Sequence, residues 1–267
     1  MRLSEIWIYP VKSLAGGRAA HALVEDRGLR HDRRFMVIDA RDRFLTQREH
    51  PPMARVAARV EGDSLRLETA GRAPLVLPIS VEGPAREVTV WDDRCRAIDA
   101  GEPAARWLSD ALERGVRLVR MPESTRRPVP AGYASEGSLV SFADAFPFLA
   151  IGQSSLDELN ARLEQPVDMR RFRPNLVIAG AAPFAEDEWT EIVIGALRLR
   201  VTKPCSRCAI LNVDPDRGTR GTEPLATLAT FRTRDRQVLF GQNLVHASEG
   251  ELREGDPVTA IAKDHSP

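Results

Sequence analysis

The sequence contains little lysine and little cysteine for a chain of 267 residues. Of its 38 basic residues only Lys12, Lys203 and Lys263 are lysines, and 38 acidic residues bring the formal net charge to zero. Proteins that bind nucleic acid through its backbone usually carry a basic excess. The balanced charge therefore argues against a nucleic-acid partner.

Long apolar runs are also missing from the chain. No window of 18 apolar residues exists, so we expect no transmembrane helix and no membrane partner. The first residues lead straight into a strand-like run, without the apolar region of a signal peptide. The three cysteines, with Cys95 far from the other two, do not form a disulfide framework. We therefore expect a cytoplasmic protein whose cysteines are reduced.

Short strand-like runs recur at a spacing of about ten residues, which is typical of a barrel or a sandwich. Hydrophobic residues make up 43% of the chain, an ordinary value for a globular protein. The predicted strands are residues 6–9, 35–38, 56–60, 64–68, 75–78, 87–91, 95–99, 116–120, 176–179, 191–194, 197–201, 209–213 and 240–245.

Helical periodicity is confined to a few segments between these strands. Ser154 or Ser155 is expected to cap the second of them. The predicted helices are residues 102–114, 154–163 and 223–232.

One segment, residues 122–137, is rich in Pro, Ser, Gly and Arg and has no apolar period. It could be a linker, a lid or a mobile loop. We place a domain boundary next to it, which gives a first domain of residues 1–121 and a second of residues 122–267. The predicted fold class is α+β, mainly β.

A Cys-x-x-Cys segment, formed by Cys205 and Cys208, lies in the second half. The predicted strand 197–201 precedes it, and the apolar run 209–213 is predicted to follow as another strand. The two thiols are therefore expected on a short irregular stretch at a strand junction, where a thiolate could face a pocket.

Four interpretations of this segment stay open. A zinc site needs about four ligands, whereas Cys95 and the five histidines show no ligand spacing. A thioredoxin-type dithiol lies where a strand enters a helix, whereas a strand is predicted after Cys208. The two cysteines could also pack as small hydrophobic residues. In the fourth interpretation, one thiolate binds the soft metal of a cofactor. The histidines are His21, His31, His50, His246 and His265.

The context favours the fourth interpretation. A phosphorylated cofactor needs cations, hydroxyls and amides near its phosphate, and loops at strand ends supply such groups. Each group alone could equally be a solvated side chain. No dinucleotide fingerprint, P-loop or nucleophile elbow is present. Asp32 and residues 186–188 are predicted to be surface carboxylates. The groups are Lys12-Ser13, Arg33, Arg173 with Asn175, and Ser206-Arg207.

These residues and several further motifs resemble the MOSC domain, which is named after the C-terminal part of molybdenum cofactor sulfurase. Upstream, Ile8 to Ser13 and Gly28 to Arg33 resemble the MOSC N-terminal β-barrel domain. The resemblance spans nearly the whole chain, and related proteins would be bacterial MOSC oxidoreductases and the mitochondrial amidoxime-reducing component. The further motifs are Phe172 to Ile178, Glu186 to Trp189, Pro204 to Cys208, Val213 to Asp216 with Gly218, Glu223 to Leu225 and Phe240 to Gln242.

The resemblance implies a barrel-like N-terminal domain packed against a MOSC β-barrel with a few helices. A molybdenum–molybdopterin cofactor would lie in the cleft between them. Cys208 stands at the position of the family's metal ligand and would be the catalytic residue, since thiolates suit soft metal centres. Cys205 would not bind the metal. Residues implied to bind the cofactor are Lys12, Ser13, Arg33, Arg173, Asn175, Ser206, Arg207 and Asn243.

The chain departs from the family pattern at three positions. Ala145 and Phe146 stand where the amidoxime reducers carry small hydroxyl residues, and Asn243 stands at the position of an aromatic hydroxyl. These departures put the phosphate-side contacts and the shape of the substrate pocket in question.

The implied reaction is the two-electron reduction of an N-hydroxylated small molecule to the N–H compound and water. The sequence contains no Cys-x4-Cys-x2-Cys run for an iron–sulfur cluster. A separate ferredoxin- or flavoprotein-type donor would therefore supply the electrons. We expect a monomer that is independent of pyridoxal phosphate. The alternatives are a carrier of the cofactor or of its sulfur, and a domain that has lost the cofactor.

Overall fold

The structure, a computed structural model, describes residues 1–134 and 136–264 of the chain. Its fold is mainly β, as the sequence predicts. Three α-helices occur in these residues, together with four short 3-10 helices. The α-helices are α1 (Glu102–Leu112), α2 (Gln153–Asn160) and α3 (Leu225–Phe231). The 3-10 helices are Pro51–Arg55, Met169–Arg171, Ala185–Glu188 and Ala209–Asn212. The strands are β1 (Arg2–Ile8), β2 (Val11–Lys12), β3 (Gly17–Ala19), β4 (His21–Glu25), β5 (Gly28–Leu29), β6 (Phe35–Ile38), β7 (Ala57–Glu61), β8 (Ser64–Glu68), β9 (Leu75–Pro78), β10 (Ala85–Val90), β11 (Asp93–Asp99), β12 (Arg117–Arg120), β13 (Phe148–Gly152), β14 (Leu176–Ala179), β15 (Trp189–Ile194), β16 (Leu197–Ser206), β17 (Thr233–Arg234), β18 (Gln237–His246), β19 (Gly250–Arg253) and β20 (Val258–Ala262).

The largest sheet has nine strands and joins both halves of the chain. Its order is β20-β15-β16-β18-β13-β14-β1-β3, with β17 paired to β18. Strand β1 runs antiparallel to β14, and β3 continues the sheet beyond β1. The predicted division at about residue 121 therefore separates segments that share a sheet, and it stays a prediction.

The remaining strands form smaller sheets. One has five strands in the order β10-β11-β12-β6-β2, and two have three strands each, β19-β4-β5 and β7-β8-β9. Within residues 1–134 and 136–264 none of the four sheets closes into a ring. The barrel-like domains that the resemblance implies are thus built from open sheets.

Alternating burial explains why the strands form. In β16, Leu197 and Leu199 are buried while Arg198 and Arg200 are exposed, as expected for successive side chains on opposite sheet faces. The apolar faces bury separate clusters, one around Ile6 and the nine-stranded sheet, another between the five-stranded sheet and α1. Most of the residues implied to bind the cofactor lie at or beside strand ends, whereas Asn243 lies within β18.

The strand predicted at residues 209–213 is wrong. Ala209–Asn212 forms a 3-10 helix instead. Its buried Leu211 packs in one cluster with Leu228 of α3, and Asn212 Oδ1 accepts a hydrogen bond from the Leu225 amide at 3.0 Å. The apolar run therefore supports α3 and does not extend a sheet.

The predicted serine cap of α2 is also wrong. The helix begins at Gln153, and no side chain caps it. Ser154 Oγ donates to Ala181 O at 2.7 Å, and Ser155 Oγ donates to Glu186 Oε2 at 2.9 Å. Both hydroxyls thus join α2 to the chain that follows β14.

Two carboxylates predicted at the surface are buried. Asp32 is 4% exposed and Glu186 is 1% exposed. Asp32 accepts hydrogen bonds from the Tyr9 amide and the Arg33 guanidinium, while Glu186 accepts from the Gly152 amide. Buried carboxylates need such partners, which the sequence pattern does not reveal.

No helix among the described residues has the length and apolarity needed to cross a membrane. His265, one of the weighed zinc ligands, lies outside the described residues.

Candidate functional site

One cleft, of about 150 Å³, contains every residue that the sequence marked for the cofactor. It also contains Arg48, Asp144 and both cysteines. Among the residues that line it, five are cationic and one is a carboxylate. The nine residues from the sequence are Lys12, Ser13, Arg33, Arg173, Asn175, Ser206, Arg207, Cys208 and Asn243.

Backbone turns at left-handed φ values place three of these side chains. Ser13 follows β2 with φ 64°, Arg33 precedes β6 with φ 50°, and Arg173 precedes β14 with φ 55°. Non-glycine residues seldom adopt this region, and those that do cluster at functional sites. The folded chain therefore tolerates backbone strain around this cleft.

Cys208 lies at the end of the cysteine stretch, directly before the 3-10 helix Ala209–Asn212. Arg48 Nη1 lies 3.6 Å from its Sγ. The Arg48 guanidinium also stacks on the Trp91 ring, 4.4 Å from the centroid. Sequence reasoning missed Arg48, because it stands 160 positions before Cys208 and in no motif.

Lys12 and Asp144 form an ion pair in the cleft. Lys12 is 5% exposed, and its burial lowers the pKa of its ammonium despite the opposing effect of Asp144. Desolvation in the cleft would raise the pKa of Asp144, but Lys12, with smaller contributions from Trp91 and Arg48, holds that pKa below the ordinary value. The Trp91 indole adds a hydrogen bond to Asp144 at 3.1 Å. Asp144 is therefore ionised.

Arg33 is held between two polar partners. Its Nη1 donates to Asp32 Oδ2 at 2.5 Å and to Asn175 Oδ1 at 3.1 Å. Asn175 is 2% exposed, and its Nδ2 donates to Trp7 O at 3.2 Å. Arg33 and Asn175 thus connect β1 with the segments that precede β6 and β14.

Arg173 has no carboxylate partner among the described residues. Its Nη1 donates to Leu14 O at 2.8 Å, and its guanidinium lies 4.3 Å from the centroid of the Tyr9 ring. Burial lowers the pKa of Arg173 to about 10, and the nearby Arg33 adds to this effect. A desolvated cation of this kind is stabilised when an anion binds beside it.

Arg207 carries a polar atom with no partner. Its Nε donates to Phe240 O at 2.8 Å and its Nη1 to Phe172 O at 2.9 Å, but its Nη2 is buried and unpaired. Gly241, with φ 76°, lies next to it, where a Cβ would be 2.7 Å from Ile151 Cγ1. A glycine is thus required at this wall of the cleft.

The other cysteine differs in environment from Cys208. Burial raises the pKa of the Cys205 thiol, with Arg207 opposing this effect. A raised thiol pKa favours the protonated form, which is a poor metal ligand. Ser206 is exposed, and Asn243 Nδ2 donates to Lys203 O at 3.3 Å. Burial thus works against a thiolate at Cys205.

The donor set fits a phosphorylated cofactor held through one thiolate. The cleft offers a thiol, several cations with too few carboxylates to neutralise them, and an unpaired guanidinium nitrogen. Ala145 and Phe146 also line it, so the departures from the family pattern bring apolar surface to this wall. In the described part of the chain, no three His, Cys, Asp or Glu residues come together as a metal-binding group. The zinc interpretation therefore has no ligand set there.

Comparisons with known proteins agree on a family. The family model of the MOSC N-terminal beta barrel domain matches residues 1–115, and that of the MOSC domain matches residues 138–259. Mitochondrial amidoxime-reducing component 1 of Mus musculus is 35% identical over 98% of this chain and 82% of that protein. The human protein of the same name is 34% identical over 98% of this chain and 83% of its own length. Molybdenum cofactor sulfurase of Oryza sativa subsp. japonica is 31% identical over 94% of this chain, a match that spans 33% of that protein.

Proposed function

The chain belongs to the family of MOSC-domain proteins, and on this premise we propose that it is a molybdenum-cofactor-dependent oxidoreductase that reduces N-hydroxylated small molecules. The family relation supports a function connected with the molybdenum cofactor. The finer assignment to N–OH reduction draws on two relatives that are named amidoxime-reducing components.

The observation that carries the proposal is the composition of the cleft. A cysteine thiol stands beside five cationic side chains that come from both halves of the chain. A phosphorylated cofactor with a soft metal needs this combination. A general acid–base enzyme would need paired titratable groups, and the ion-paired Asp144 is the one carboxylate among the residues that line the cleft.

Each cleft residue has a proposed role. Cys208 would hold the metal through its sulfur, and Arg48, 3.6 Å away, would stabilise the negative charge on that sulfur. Arg173 and Arg207 would bind the anionic part of the cofactor. Arg173 lacks a carboxylate partner among the described residues, and Arg207 has an unpaired Nη2. Further contacts would come from Lys12, Ser13, Arg33, Asn175, Ser206 and Asn243.

When bound, the cofactor would supply the two-electron chemistry at its metal. The reaction balances as N–OH plus two electrons and two protons, giving N–H and water. Lys12 Nζ donates a hydrogen bond to Asp144, whose side chain is 68% exposed, so only this carboxylate separates the buried ammonium from solvent. The electrons would come from a separate donor protein of the ferredoxin or flavoprotein type.

A carrier of the cofactor or of its sulfur is the second candidate, favoured by the similarity to molybdenum cofactor sulfurase. Sulfur carriage through a persulfide needs a reactive thiolate. The raised pKa of Cys205 disfavours that role for this cysteine. A persulfide trapped on either cysteine would support the carrier, and an absence of persulfide together with catalytic turnover would support the enzyme.

The test is turnover of an N-hydroxylated amidine by protein purified from a host that makes the pterin cofactor. A chemical donor such as reduced methyl viologen replaces the partner protein. We expect Cys208→Ser to abolish activity, because the metal loses its protein ligand, and Cys205→Ser to reduce it only mildly. Molybdenum-loaded wild-type protein without turnover would contradict the oxidoreductase proposal.

Location and assembly are proposed from the sequence alone. We propose a cytoplasmic monomer, although two relatives are named as mitochondrial proteins. Fractionation of the native host and light scattering of the purified protein would check these two points.

A further inference from the structure

A second cavity lies behind the cofactor cleft and shares Arg173 with it. Its volume is about 330 Å³, at the lower end of the range for small-molecule sites. Hydrogen bonds from Arg173 Nη1 to Leu14 O and from Gln47 Nε2 to Ser13 O pin the backbone between the two spaces. Apart from Arg173, no residue with a role proposed for the cleft lines this cavity.

The cavity is lined by five arginines and one carboxylate. Arg170 pairs with Asp216 at 2.8 Å, and Arg171 pairs with Asp214 at 3.2 Å. Arg55 and Arg59 are exposed, and within residues 1–134 and 136–264 their side chains have no ion pair or hydrogen-bond partner. With Arg173, three guanidinium groups thus face this space without a carboxylate to neutralise them.

The stem of Arg55 packs against a turn, although the residue as a whole is exposed. A Cβ added at Gly218 would lie 2.9 Å from Arg55 Cδ and 3.2 Å from Pro52 Cα. The stem of Arg55 therefore lies against the turn that carries Gly218, whose φ is 64°. A guanidinium on a fixed stem loses less conformational entropy when it binds an anion.

Tyr9 adds an unsatisfied polar atom beside the cavity. It lines the cavity, is 2% exposed, and its hydroxyl has no hydrogen-bond partner among the described residues. Arg33 and Arg173 both stack on its ring, at 4.6 and 4.3 Å from the centroid. A buried hydroxyl without a partner is costly, and a ligand acceptor atom would remove that cost.

We propose that this cavity is a second binding site, for a free phosphate monoester about the size of a nucleoside monophosphate. Arg55, Arg59 and Arg173 bind the phosphate, since guanidinium groups match phosphate oxygens. Tyr9 donates its hydroxyl hydrogen to the same ligand. The organic part lies against an apolar wall that includes Trp7, Ala15, Ala54 and Ala57. Arg173 is shared with the cofactor cleft, but Arg55, Arg59 and Tyr9 are not, so these three residues are available to the ligand whether or not Arg173 holds the cofactor.

Titration calorimetry of the protein as purified, with adenosine 5′-monophosphate and separately with inorganic phosphate, tests the proposal. We expect saturable binding that weakens with added salt. Arg55→Gln and Arg59→Gln should each weaken the affinity about tenfold, the loss of one charge-assisted contact. The matched control is Arg94→Gln, whose side chain is 79% exposed and faces Glu87, and it should bind like wild type.

Tyr9→Phe gives a separate readout. It should weaken the affinity for adenosine monophosphate about fivefold through loss of one hydrogen bond. The melting temperature of the ligand-free variant should not fall, because the hydroxyl it loses has no partner. A lower melting temperature with unchanged affinity would show that Tyr9 is structural and would overturn its role.

Three results would overturn the site as a whole. One is the absence of heat with either probe at millimolar concentration. Another is equal binding by wild type and an Arg55→Gln/Arg59→Gln double variant. The third is binding by cofactor-free protein that disappears in molybdenum-loaded protein, which would mean that the cofactor itself fills the cavity.

Discussion

Single residues in the cleft are held in environments that oppose their charge. Lys12 and Arg173 both have lowered pKa values because burial disfavours their charged forms. Natural proteins keep such unfavourable burial of charge at functional sites, where a bound ligand of opposite charge offsets it. The free energy of cofactor binding would therefore include a favourable contribution from the interaction of the anionic cofactor with these two buried cations.

Arg48 carries the residue-scale prediction, because its Nη1 lies 3.6 Å from Cys208 Sγ. Arg48→Gln removes the cation nearest that sulfur. We expect kcat for N-hydroxyamidine reduction to fall about 10- to 100-fold, the range for losing a partner of a metal-binding side chain. Steady-state kinetics normalised to molybdenum content measure the effect.

The control for Arg48 comes from the same segment. Arg43→Gln alters an exposed arginine that does not line the cleft, and kcat should stay at the wild-type value. Arg48→Lys should recover part of the activity, since it restores the charge without the planar guanidinium. Full activity in Arg48→Gln at normal molybdenum content would remove Arg48 from the site.

At the scale of elements, the anchoring of α2 depends on one buried acid. Glu186 accepts hydrogen bonds from the Gly152 amide at 3.0 Å and from Ser155 Oγ at 2.9 Å. Burial raises the pKa of Glu186, and these hydrogen bonds only partly oppose that effect. The helix is thus attached to the 3-10 helix Ala185–Glu188 through a carboxyl group that resists ionisation.

A pH dependence of stability follows from Glu186. Folding raises the pKa of Glu186. At pH values between its ordinary pKa and its raised pKa, the folded chain therefore binds more protons than the unfolded chain. Stability then falls as pH rises through this window. Glu186→Gln removes this loss. We expect its melting temperature to exceed that of wild type by a few degrees at pH 7 and to match it near pH 4.

Thermal melts at several pH values measure the difference. The control is Glu164→Gln, an exposed side chain beyond the end of α2, which should track wild type throughout. A Glu186→Gln variant that is less stable than wild type at pH 7 would show that the hydrogen bonds outweigh the desolvation cost.

Elements whose pattern is local were predictable, and those set by tertiary packing were not. Phe35–Ile38 and Leu176–Ala179 match their predicted bounds, because each is a continuous apolar run that follows a polar residue and ends before Asp39 or Gly180. Phe148–Gly152 was missed, since Pro147 hid the start of the strand. Ala209–Asn212 was assigned to a strand because periodicity cannot show that its apolar residues pack under α3.

The same limit applies to the candidate site. Its nine predicted residues stand in motifs that the family resemblance supplies, and all of them line one cleft. Arg48 lines the cleft and Trp91 contacts Arg48 and Asp144 beside it, although both come from segments without a motif. The turn between β10 and β11 and the loop after β6 bring them there. Long-range contacts of this kind leave no local signal in one sequence.

At the scale of the whole molecule, the shared nine-stranded sheet should make the halves unfold together. Strand β1 lies between β14 and β3 in that sheet. We expect calorimetry of the cofactor-free protein to show one transition. Ile6→Ala, at a fully buried position of β1, should destabilise the protein by about 2–5 kcal/mol and shift the entire transition.

Ile261→Ala is the matched control, because Ile261 belongs to β20 of the same sheet but is 47% exposed. It should change stability by less than about 0.5 kcal/mol. Two separate transitions, of which Ile6→Ala shifts only one, would show that the halves unfold independently.

The most direct test of the whole account is the metal content of wild type and Cys208→Ser, purified together from a host that makes the pterin cofactor. Elemental analysis for molybdenum and zinc should give nearly one molybdenum per wild-type chain and a large loss in the variant. Zinc without molybdenum in wild type, or full molybdenum retention in Cys208→Ser, would contradict the proposed cofactor site.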